Sequence, residues 1–168
     1  MRQPLRLWLM LGVSLSTSAC TGAMASTSAA VGPKGGVTGF VYHQSDVQTM
    51  PDTPYTRGLV IGIDVAAWNT LRERLGLTGE LSRNHFNLSS ELYETAIAAR
   101  ADIGENGRYH LQLPPGDHIL CLGNLPVPPV DQSRYPVAVN GCTRAAVPKA
   151  GLRLDFYVGI GGVRAVTP

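Results

Sequence analysis

The chain has 168 residues, 44% of them hydrophobic and 15% charged, with 14 basic and 12 acidic side chains. That composition leaves room for one domain with a core of its own and excludes a disordered or low-complexity chain. Two of the basic residues, Arg2 and Arg6, belong to an N-terminal export signal. The remainder is therefore balanced, and it lacks the footprint expected of a binder of nucleic acid or of an anionic membrane surface.

The signal occupies residues 1–19. Arg2 and Arg6 form the positive leader, a short apolar run from Leu5 to Leu15 follows, and small residues close it. The apolar run is too short for a spanning helix. Two cleavage sites compete. Thr17-Ser18-Ala19-Cys20 resembles a bacterial lipobox, with Thr17 where Leu is usual, and would leave an acylated Cys20 as the mature N-terminus. Ala23-Met24-Ala25 would instead release a soluble chain beginning at Ser26. Cysteine arithmetic favours the first, because three cysteines in an exported chain leave one over. With Cys20 lipidated, Cys121 and Cys142 are the one remaining pair for a disulfide in an oxidising compartment, contributing about 3 kcal/mol. Residues 20–34, rich in Ser, Thr, Ala and Gly, read as a flexible tether.

The domain then runs over residues 35–168. Residues 36–43 alternate as a strand, and residues 44–58, with Pro51 and Pro54, form a loop. Residues 59–66 are a second strand with Leu59, Ile61, Ile63 and Val65 toward the core. Asn69 is a candidate N-cap for a short helix over residues 70–75, with Gly76 as its stop. That helix and the polar residues after it read as an insertion spanning residues 68–90. Residues 91–103 fit a helix started by Ser90 and also alternate as a strand; strand is preferred because the following hairpin needs a partner. Asn106-Gly107 is a tight turn, residues 108–113 alternate, Pro114-Pro115-Gly116 breaks the strand, and residues 118–122 resume it, so the centre reads as a β-meander. A proline-rich loop follows over residues 123–134. Strands are expected over residues 135–139 and 142–147, with Asn140-Gly141 turning between them, and a last one over residues 152–158 before the glycine-rich turn at 159–162.

The central stretch resembles the carboxypeptidase regulatory-like (prealbumin-like, Cna-B-like) β-sandwich domains. Asn106, Gly107, Tyr109, Leu111, Leu113, Pro115, Gly116 and Leu120 carry the likeness, and Gly35-Gly36-Val37-Thr38-Gly39-Phe40-Val41 matches the opening strand. His118 departs from it, standing where such domains usually carry Tyr or another large residue. The resemblance implies an all-β fold: a single antiparallel, Greek-key-like sandwich of about seven strands, here with a short helical insertion. It implies little about activity, since one fold hosts many roles.

Chemistry is hard to find. His43, His85, His110 and His118 have no metal-ligand spacing, and no nucleophile elbow or phosphate-binding loop occurs, so no metal, cofactor or catalytic residue is expected. The expected role is that of a non-enzymatic, lipid-anchored envelope protein, held at the outer membrane on its periplasmic side. It would bind an envelope protein or a glycan through Trp68, Phe86, Tyr93 and Pro128 on the insertion and the proline-rich loop. Two other readings stand beside it. A soluble carbohydrate-binding module would expose Trp68, Phe86 and Tyr93 as a planar strip. A small hydrolase would assemble His85, Glu91 and Glu94 in one pocket.

Overall fold

The structure is a computed structural model that describes residues 35–45, 51–125 and 130–168. Cys20, the tether and Pro128 lie outside the described residues. Among these residues the chain is mostly β, with eleven strands in two sheets and two short helices. One sheet is built around β1 (Val37–His43). The C-terminal half of β1 pairs with β2 (Thr53–Pro54) on one side and β10 (Asp155–Gly159) on the other, and β11 (Gly162–Val166) adds beyond β10. Its N-terminal half pairs with β6 (Arg108–Leu111) and β9 (Leu152–Arg153). The second sheet has the order β4 (Phe86–Leu88), β8 (Val137–Val147), β7 (Gly116–Asn124), β3 (Leu59–Asp64), β5 (Ile97–Asp102).

Two cores result, one on each face of the five-stranded sheet. Val60, Leu120, Leu122, Ala145 and Val147 meet Val37, Val41, Leu111 and Phe156 of the six-stranded sheet. Ile61, Ile63, Ile119, Cys121, Val139 and Cys142 point the other way, against α1 (Val65–Arg74) and α2 (Ser90–Ala96). A strand buried on both faces needs apolar residues at successive positions, which is why residues 59–63 and 119–122 carry no charged side chain and Val60 faces the sandwich core while Ile61 faces the helices.

The expected architecture holds in outline, as a sandwich of two sheets, and changes in detail. There is no single antiparallel set of seven strands, for β1 pairs with β9 and β10 in parallel. Nor is the centre a meander. β5 and β7 lie in one sheet and β6 in the other, so the Asn106-Gly107 turn and the Pro114-Pro115-Gly116 turn both carry the chain across the sandwich. The first crossing is held by backbone bonds between Gly104 and Arg108 and between Gly107 and Gly104, both 2.8 Å, and Gly107 takes a positive φ of 78°.

Residues 68–90 are not an insertion beside the fold. Their strand β4 pairs with β8, and α1 begins five residues earlier than expected, at Val65. Its N-cap is Asp64 and not Asn69, and the Asp64 carboxylate is turned to His118. The expected stop is present: Leu77 N–H bonds Arg72 O and Gly76 N–H bonds Glu73 O, a Schellman ending. The ambiguous stretch divides in two. Ser89 caps α2, accepting from Leu92 N–H, and the alternating half from Ile97 onward forms β5. Asn140-Gly141 is not a turn either; β8 runs straight through it with a bulge against β7. Cys121 and Cys142 stand directly opposite in that pair, form the disulfide, and are both buried.

The break between β9 and β10 shows how locally the sheet is specified. Gly39 passes so close to Leu154 that a Cβ there would lie 1.8 Å from the Leu154 carbonyl oxygen. Only glycine fits. That carbonyl accepts the Tyr109 hydroxyl at 2.6 Å, and the Asp155 carboxylate accepts Phe40 N–H at 2.9 Å. Two buried side chains thus complete a ladder that the break interrupts.

Candidate functional site

The helices cover only part of the five-stranded sheet. Beyond them, at the end where β3 starts and β7 stops, a groove of about 940 Å³ remains open. Leu59 and Val137 form its floor. The segment from Pro54 to Gly58, with Asn124, Leu125 and Pro136, makes one rim, and Tyr93, Arg100 and Asp102 make the other. Leu125 is 66% exposed here, the most exposed leucine among the described residues.

Both rims are fixed by side-chain bonds. Arg100 donates to the Tyr93 hydroxyl at 2.9 Å; that bond, with Asp102 adding, lifts the guanidinium pKa above its ordinary value. Asn124 Nδ2 donates to the Tyr55 hydroxyl, and the Tyr55 ring lies 4.7 Å from that of His43. Asp131 accepts both the backbone N–H and the hydroxyl of Ser133. Those bonds hold its pKa below the ordinary carboxylate value and brace the turn leading into Pro136.

The residues expected to meet a partner separate. Trp68 is 3% exposed; it packs α1 onto the sheet and its ring lies 6.1 Å from the half-buried Phe86. Neither joins a planar surface strip with Tyr93. Tyr93 is on the groove wall. Pro128 is outside the described residues, though Leu125 and Pro136 on its flanks line the groove. The hydrolase set is not assembled. Glu91 pairs with Arg74 at 3.6 Å over α1, whereas His85 lines a separate pocket by the Gly159–Gly162 turn.

That separate pocket, about 330 Å³, contains something the sequence did not suggest. His43 and His85 both line it, with Tyr55, Asn124 and Asn140. Their 42-residue separation hides the pairing from any spacing rule. Among the described residues no group of three or more His, Cys, Asp or Glu converges to hold a metal ion.

Other buried polar groups serve the frame. His118 is 3% exposed and lies at the second crossing, with Nε2 2.9 Å from the Pro114 carbonyl and Nδ1 3.0 Å from the Asp64 carboxylate. Burial, with Asp155 adding, pushes the Tyr109 hydroxyl far above its ordinary pKa, so it stays a neutral donor to Leu154. No described helix is long and apolar enough to cross a membrane. Comparison of the chain with protein-family models, with curated proteins and with solved structures gave no match.

Proposed function

We propose that this chain is a non-enzymatic, lipid-anchored protein of the cell envelope, and that its sandwich is an interaction module whose groove seats a segment of a partner protein. Acylated Cys20 anchors it and residues 20–34 let the domain reach its partner. The carboxypeptidase regulatory-like resemblance accords with such a role, because these sandwiches present loops on a stiff scaffold. The observation that carries the reading is the groove itself, with an apolar floor at Leu59 and Val137, two tyrosine walls and guanidinium groups at Arg57 and Arg100. An apolar side chain of the partner fills the floor while its carboxylate meets Arg57 or Arg100, the aromatic and arginine composition of interface hot spots.

Two measurements test this. Intact mass of the chain from membrane and soluble fractions reads the anchor: acyl groups on a chain starting at Cys20 support it, and an unmodified chain starting at Ser26 in the soluble fraction refutes it. A photoreactive residue in place of Leu125 should give one discrete adduct in intact envelopes, and the same residue in place of Arg72 none. Adducts at neither position, or equally at both, would remove the groove as the site.

A further inference from the structure

The outer face of the six-stranded sheet is a second surface with a chemistry of its own. No helix covers it. Three rows of side chains cross it in register. His110, Thr38 and Arg153 form the first, Arg108 and Phe40 the second, and Tyr42, Tyr157 and Arg164 the third. Phe40, Tyr42 and Tyr157 are neighbours in a continuous run, with centroids 5.8 and 5.4 Å apart and ring planes within 26° of parallel. All three are only partly buried. Arg108 and Arg153 lie over the Phe40 ring at 5.3 and 5.9 Å, and Arg164 lies over Tyr157 at 5.2 Å.

The charges here do not cancel. Two described carboxylates act on this face. Asp155 is 5% exposed and already accepts Phe40 N–H and, at 3.4 Å, Arg153. Asp52 accepts Ser45 N–H, and its charge adds to burial and to Asp155 in raising the Tyr42 pKa. Among the described residues Arg108 and Arg164 form no ion pair with a carboxylate. Three arginines thus outnumber two carboxylates, among the described residues, beside partly buried rings on one open sheet. Charge complementarity calls for an anion, and the length of the ring run calls for an extended one.

We propose that this face binds an acidic polysaccharide, the rings lying against sugar C–H surfaces and Arg108 and Arg164 meeting its carboxylates. Rings and arginines would also suit single-stranded nucleic acid. The choice of glycan rests on the exported reading above, and only on its address.

The test titrates the full chain, purified in detergent, with polygalacturonate, with neutral dextran and with an oligothymidylate. Polygalacturonate should bind, more weakly as salt rises, and dextran should not. The variant Arg108→Gln/Arg164→Gln should lose about tenfold or more in affinity while remaining folded, with only a small shift of the thermal melt from its lost ring contacts, because two charge-assisted contacts go. Arg144→Gln, on the opposite side of the molecule, should match the wild type and exclude a general charge effect. Equal binding of dextran, or an unaltered affinity in the double variant, would overturn the proposal and leave the Leu125 adduct untouched. Oligothymidylate binding tighter than polygalacturonate would also overturn it and would count against the exported address.

Discussion

The two sheets share one core and differ in what lies on their other faces. The five-stranded sheet is buried twice, by its partner sheet and by α1 and α2, and the aromatic residues on its helix side, Trp68 of α1 and Phe86 of β4, are used up in holding the helix down. Among the described residues the six-stranded sheet is buried once. Its rings Phe40, Tyr42 and Tyr157 stay partly wet and keep arginines over them. Burial converts an aromatic side chain into stability, and exposure beside a cation leaves it able to recognise something. The groove falls where the first sheet escapes its helices, so both candidate surfaces lie where the sheets are incompletely covered.

Substitutions can probe this contrast directly. The largest effect is expected on the doubly buried side. Trp68→Ala should cost about 3–5 kcal/mol in urea denaturation, whereas Tyr42→Ala should cost about 0.5–1.5 kcal/mol, the worth of its ring contacts. Equal losses would mean that the open face is as structural as the covered one. Next comes the staple between β7 and β8: reduction of Cys121–Cys142 should lower stability by about 2–5 kcal/mol, read as a shift of the urea midpoint.

Tyr109→Phe isolates the single bond that closes the β9–β10 break and should cost about 1–3 kcal/mol, because it orphans a buried carbonyl. The same group sets an alkaline limit. Its folded pKa is raised, so its contribution is complete below the ordinary phenol value of about 10 and is lost as pH climbs above it. Stability of the wild type should fall more steeply there than that of Tyr109→Phe; parallel curves would refute the assignment. Smallest of all, Arg144→Gln should change stability by about 0–1 kcal/mol, since its pair with Asp117 is largely exposed.

How much of this could be read beforehand depends on how local each feature is. Alternation placed β1 and β6 well, the glycine after α1 marked its end, and counting cysteines paired Cys121 with Cys142. Residues 91–103 defeated the reading because two patterns were both true, a capped helix and then a strand. Asn140-Gly141 looked like a turn because Asn and Gly also suit a bulge, and only the pairing with Leu122 and Gly123 separates the two. The aromatic face was not assembled although Phe40 and Tyr42 alternate in plain view along β1, because its third ring, Tyr157, comes from β10. Its arginines come from residues 108, 153 and 164, which pairing alone brings together.

The sequence by itself therefore determined what depends on near neighbours: turn chemistry, strand periodicity, the helix stop, the balance of charge and the export signal as an expectation. Tertiary structure alone decided which strands share a sheet, that the turns at Gly107 and Gly116 cross the sandwich, and that Trp68 is interior. It also decided which distant side chains share a pocket, as His43 and His85 do, or stack, as Tyr42 and Tyr157 do. The physical reason is that a residue's local preference is carried by its own backbone and side chain. Burial and proximity are carried by whatever the rest of the chain packs against it.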